Sequence, residues 1–70
     1  MNYKKLSIKE DFIRLDSAMK LAGLASTGGH AKHVIQNGEV KVNGEICLAR
    51  GKKLKSGDRA EFDGAGFEIE

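Results

Sequence analysis

Two short stretches of this 70-residue chain hold the residue types that bind anions. The first is Ser26-Thr27-Gly28-Gly29-His30-Ala31-Lys32-His33. Ser26 and Thr27 are helix-capping types, and a helix start exposes unpaired N–H groups and a partial positive charge that suit a phosphate. Glycines at 28 and 29 remove the side chains that would hold another backbone away. With an apolar stripe centred on Ala31, Gly29, Lys32, His33 and Gln36 project to the wet side of the helix, with His30 on its flank. That face offers donors and little bulk. By geometry alone the same residues better suit a capped surface helix whose glycines serve only the preceding turn.

The second stretch is Arg50-Gly51-Lys52-Lys53, three cations around a glycine, able to follow a phosphate backbone. It lacks the G-x-x-x-x-G-K-[ST] spacing of a nucleotide-binding loop. Standing alone, such a charge run reads as solvated surface; a hairpin that brings it near the second helix would give it a role.

Other chemistry is poorly supported. His30, His33 and Cys47 are three possible zinc ligands, but paired spacing and a fourth ligand are missing. Cys47 falls among apolar neighbours in an expected strand, the setting of a buried inert thiol. Nucleophilic catalysis would need an orienting partner and a pocket. Asp58, Glu61 and Asp63 alternate with core residues and read as the solvated face of a strand. No catalytic residue, metal or cofactor is expected. Phe12, Phe62 and Phe67 are expected to be buried, leaving Tyr3 as the one candidate stacking platform. Single-strand binders use several exposed aromatics, so the pattern favours folded or double-stranded RNA over single strands.

The charge distribution agrees. Lys20 to Lys55 holds seven basic residues against Glu39 and Glu45, whereas Ser56 to Glu70 holds only Arg59 against five acids. One basic and one acidic side is the footprint of a polyanion binder. Seventy residues suffice for one domain, which buries only roughly 60% of its unfolded surface and has little room for a deep cavity. A single cysteine excludes an internal disulfide framework. No stretch approaches a membrane span, and Met1 to Lys5 lacks the apolar centre of a signal peptide. A cytoplasmic protein is expected.

The elements that must position these residues follow from periodicity. Leu6, Ser7, Ile8 and Lys9 alternate and predict a first strand. Leu15, Ala18, Met19 and Ala22 form the stripe of a helix in which Asp16 can pair with Lys20, and Gly23 ends it. Ala31, Val34 and Ile35 form the stripe of a second helix, closed by Asn37 and Gly38. Val40 and Val42 lead to Asn43-Gly44, a type I′ hairpin signal, with Ile46 and Leu48 on the return side. Ser56-Gly57-Asp58 makes a turn before Ala60 and Phe62. Gly64-Ala65-Gly66 makes another before Phe67 and Ile69. The expected fold class is α+β: an αα hairpin packed on a small, mostly antiparallel twisted sheet.

Arg14-Leu15-Asp16, Gly23-Leu24-Ala25-Ser26-Thr27, Ala31-Lys32, Ile35, Gly38, Val40-Lys41-Val42-Asn43-Gly44 and Gly57-Asp58, in this order and spacing, strongly resemble the S-four RNA-binding domain. The family is named for the small-subunit ribosomal protein four. It also occurs in pseudouridine synthases, a tyrosyl-tRNA synthetase and a heat-shock ribosome-rescue protein. The resemblance covers about residues 14–63 of a chain read as one RNA-binding domain, 1–70. Gly28-Gly29-x-Ala31-Lys32 and Arg50-Gly51-Lys52-Lys53-Leu54 look like the stand-alone bacterial branch. Two positions depart: Gly28 stands where many members carry a basic residue, and Cys47-Leu48-Ala49 replaces a more polar run.

The resemblance implies the S-four-like, or alpha-L, arrangement, with RNA across the second helix and the loop after the hairpin. Matched to this chain, the implied RNA-binding residues are Thr27, Gly29, His30, Lys32, His33, Lys41, Asn43, Arg50, Lys52 and Lys53. The implied partner is structured RNA, ribosomal RNA first and transfer RNA second, with the ribosome behind it and a monomer as the acting form. A second reading of the same basic face is a protein–protein adaptor docking an acidic partner, on the ribosome or elsewhere.

Overall fold

The computed structural model describes residues 2–70, so Met1 lies outside it. Two helices form where the stripes predict them. Helix α1 spans Leu15–Leu21 and buries Leu15, Ala18 and Met19; helix α2 spans Gly28–Gln36 and buries Ala31, Val34 and Ile35. Both end in the same device. The N–H groups of Gly23 and Leu24 donate to the carbonyls of Lys20 and Met19, and those of Gly38 and Glu39 to Ile35 and Val34. This double closure needs a left-handed residue, and Gly23 and Gly38 supply it at φ 79° and 78°. Asp16 does not reach Lys20. Its carboxylate takes Arg14 at 3.2 Å and the backbone N–H of Ser17 at 2.8 Å, two closer partners at the helix start.

The strands are β1 Asn2–Leu6, β2 Ile13–Arg14, β3 Val40–Val42, β4 Glu45–Ile46, β5 Lys53–Leu54, β6 Arg59–Phe62 and β7 Ala65–Ile69. Five form one sheet in the order β1-β7-β6-β3-β4, and β2 pairs with β5 in a second. Only the β1–β7 pairing is parallel in the larger sheet. The helices cover the face that carries Val40, Val42, Ala60, Phe67 and Ile69, making an α+β fold with an αα hairpin on a mostly antiparallel sheet. Phe67, Leu15, Met19, Ile35, Leu54 and Ile69 are the largest fully buried side chains.

Several local expectations shift. The first strand ends at Leu6 rather than beginning there, because long-range pairing with β7 (Lys4 opposite Phe67, Leu6 opposite Ile69) outweighs the weak local alternation. The last hairpin turns at Asp63-Gly64, φ 53° and 77°, a two-residue turn that leaves Ala65 and Gly66 inside β7. Strand β4 stops at Ile46, so Leu48 and Cys47 lie in the following loop. Ile46 and Leu48 are exposed, and Cys47 is only half-buried. Phe12 is exposed beneath the ammonium of Lys53, which stands 4.8 Å from its ring centroid; Phe62 is half-buried.

Candidate nucleic-acid interface

The polar face of α2 is built from its start. Thr27 is the extended N-cap residue, and its hydroxyl oxygen accepts the N–H of His30 at 3.0 Å, satisfying one of the helix's unpaired donors. Gly28, Gly29, His30, Lys32, His33 and Gln36 are all exposed. A Cβ built on Gly28 meets nothing within 4 Å, and one on Gly29 meets only the Thr27 hydroxyl at 3.9 Å. Packing within the chain therefore does not require glycine at either position. His30 is fastened: its Nδ1 accepts the Ser26 N–H at 3.4 Å, and its ring meets Phe62 edge-on, centroids 6.3 Å apart.

The basic loop is held by its backbone. The first two N–H groups of α1, from Leu15 and Asp16, donate to the carbonyls of Lys52 (2.8 Å) and Arg50 (3.1 Å). The loop thus does for α1 what the Thr27 side chain does for α2. Lys52 N–H closes the turn on Ala49, and Lys53 enters β5 opposite Arg14. With the carbonyls engaged, the side chains of Arg50, Lys52 and Lys53 stay exposed. Arg14 joins them, since a Cβ on Gly51 would lie 3.7–4.0 Å from its guanidinium. Among the described residues the one direct ion pair is Arg14 with Asp16, so Arg50, Lys52 and Lys53 make no such pair. The charge of Lys52 acts on Asp58, and the ammonium of Lys53 stands over the Phe12 ring. Sequence reasoning missed Arg14 as part of this cluster. Its signal, a two-residue strand pairing with another, is too short to show periodicity.

Asn43 works from the hairpin. At φ 52° it occupies the left-handed turn position, its Nδ2 donates to Asp58 Oδ1 at 3.1 Å, and its Oδ1 accepts the Arg59 N–H at 3.0 Å. Asp58 Oδ2 accepts the Lys55 N–H at 2.8 Å. That hydrogen bond holds the Asp58 carboxyl below its ordinary pKa; the Asn43 amide and the charges of Lys52 and Lys55 act the same way, against opposition from partial burial. The hairpin turn and the end of the basic segment are thereby tied together.

Lys41 is placed apart. Between buried Val40 and Val42, it points to the sheet face opposite the helices, beside Glu61 and Ile46 on the neighbouring strands. Tyr3 lies on that face too. Its ring crosses Gly66, where a Cβ would come within 3.0 Å of it and 2.7 Å of the Ala60 carbonyl, and its hydroxyl donates to Glu61 at 2.7 Å. That hydrogen bond, with some desolvation, raises the phenol's pKa. The structure therefore gathers Thr27, Gly29, His30, Lys32 and His33 on α2, and Arg50, Lys52 and Lys53 with Arg14 at the start of α1. Among the described residues no three His, Cys, Asp or Glu side chains form a group that could hold a metal ion, and no helix is long and apolar enough to cross a membrane.

Comparison with known proteins places this geometry. The chain is 41% identical over 65 residues to a probable ribosome maturation protein, RlbA, of Bacillus subtilis (strain 168), covering 91% of this chain and 92% of that one. Its fold is similar to the solution structure of YbcJ from E. coli, with a TM-score of 0.69 and 29% identity over 99% of this chain and 86% of that one. The YbcJ structure is described as revealing an αL motif involved in RNA-binding. The S4 domain family model matches residues 6–70, nearly the whole length. With its paired helices, hairpin and stapled loop, the chain belongs to the S4 domain family.

Proposed function

We propose that this protein is a non-catalytic binder of structured RNA, ribosomal RNA before transfer RNA, acting as one domain. The observation that carries the reading is the loop of Arg50, Lys52 and Lys53. Its backbone is locked to α1 while its cationic side chains are exposed and make no direct ion pair among the described residues. Cations pre-positioned in this way bind phosphates without first having to order the loop. Lys32 and the open glycine face of α2 supply a second exposed surface, where Gly29 lets an RNA backbone approach the helix start. The RNA-binding description of YbcJ and the ribosome-maturation description of the Bacillus relative support the choice of partner. Phosphate contacts set register and carry little sequence information, so sequence preference is weak.

Cross-linking in cells, with the bound RNA sequenced beside a Lys52→Ala/Lys53→Ala variant, tests this. Enrichment of one ribosomal or transfer RNA region, lost in the variant, is the expected result. Background recovery from both proteins would overturn it.

A further inference from the structure

We propose that the groove beside β4, walled by Ile46 and Leu48 and flanked by Lys52, takes up one unpaired nucleobase of the bound RNA; this rests on the RNA-binding reading above. Strand β4 is outermost in the sheet and ends at Ile46, so no strand among the described residues covers it. Ile46 and Leu48 are each 60% exposed. They line an open groove of about 540 Å³ with Cys47 and Lys52, and with Asn43 and Glu45 as polar lining.

The walls are held in place. Cys47 N–H donates to Val40 at 3.0 Å and its thiol to Ala49 at 3.6 Å. Behind them sits the end of α2, where a Cβ on Gly38 would touch Ile46 and Leu48 at 3.9 Å. An apolar surface on an anchored backbone, exposed to water, favours an apolar occupant.

Charge selects which occupant. Lys52 and Glu45 give the groove one cation and one carboxylate, and Lys52 continues into the basic loop. The occupant therefore carries negative charge on its Lys52 side and hydrogen-bond donors on its Glu45 side. A base flanked by its own phosphates has that form. A second copy of this chain would bring the same cations face to face. The polar lining adds a preference. The Asn43 amide is engaged with Asp58 and Arg59, whereas the exposed carboxylate of Glu45 makes no hydrogen bond among the described residues. A carboxylate only accepts, so it pairs with an N–H donor on the edge of the base, such as the exocyclic amino group of adenine.

The test compares an RNA hairpin of continuous duplex with the same hairpin carrying one bulged adenosine, by fluorescence anisotropy. The wild-type protein is expected to prefer the bulged RNA by about fivefold, the equivalent of roughly 1 kcal/mol. Ile46→Ala/Leu48→Ala should remove that preference while leaving duplex affinity unchanged. A 2-aminopurine at the bulge should change its fluorescence on binding to wild type and not to the variant. Equal wild-type affinity for the two RNAs overturns base docking while leaving RNA binding intact, and is the result expected if the groove instead holds a protein. A double variant that loses both RNAs equally also overturns it. Absence of binding to either RNA defeats both readings together.

Discussion

Asn43 and Asp58, fifteen residues apart, are joined by a 3.1 Å hydrogen bond that ties the hairpin turn to the end of the basic segment. Both belong to the short motifs by which the chain resembles its family, and the structure supplies a reason they occur together. Asn43 also accepts the Arg59 N–H, and Asp58 the Lys55 N–H. Replacing Asn43 with glycine keeps the left-handed turn available but deletes the amide, leaving Arg59 N–H without its acceptor. The expected cost is about 1–2 kcal/mol, read as a lower urea midpoint. Asn43→Ala should cost a further ~1–2 kcal/mol, because an ordinary side chain is disfavoured at φ 52°.

Asp58 should also shape the acid limb of stability. Its folded-state pKa lies below the unfolded value, so its contribution is complete above the unfolded pKa of about 3.9 and fades as pH falls through the folded value. Urea unfolding between about pH 3 and 7 should show wild type losing stability below about pH 4. Asp58→Asn should be less stable at neutrality and flatter in acid. An unchanged acid limb would show that the carboxylate is not stabilised by folding.

Glycines at helix ends and helix start should behave oppositely. Gly23→Ala and Gly38→Ala place a side chain at φ 79° and 78° and should each cost ~1–2 kcal/mol. Gly29→Ala has room for its methyl and lies in a helix, so stability should hold or rise by up to ~1 kcal/mol. RNA affinity should nonetheless fall, because the methyl would stand where the RNA backbone is proposed to approach. Unimpaired RNA binding by Gly29→Ala would remove the start of α2 from the interface.

Arg14 is expected to contact RNA beside the loop. Its side chain is half-exposed and its ion pair with Asp16 lies at the surface, so Arg14→Ala should change stability by no more than about 1 kcal/mol. The log–log salt slope of RNA binding should fall by about 0.7–0.9. An unchanged slope would leave Arg14 a purely structural residue.

The two helices were legible because three independent local signals agree at each: an apolar stripe, a cap or acidic first turn, and a glycine at the end. The Asn43-Gly44 turn was legible for the same reason. What escaped was set at long range. Asn2–Leu6 has one buried residue in its described pattern and becomes a strand because β7 lies beside it. Lys53–Leu54 becomes one because Ile13–Arg14 does. Phe12 reads as core by its type, yet serves as a surface for Lys53. For the proposed interface, composition pointed to the α2 face and the Arg50–Lys53 loop. It could not show that Lys41 faces away from the helices, nor that Arg14 packs on Gly51, since both depend on strand pairing.

Binding of RNA phosphates by Lys52 and Lys53 on the locked loop is read from the dissociation constant for a structured RNA hairpin across a salt series, wild type beside Lys52→Ala/Lys53→Ala. Loss of two phosphate contacts predicts weaker binding and a slope smaller by about 1.4–1.8. Equal affinity and equal slope in the two proteins would contradict the account.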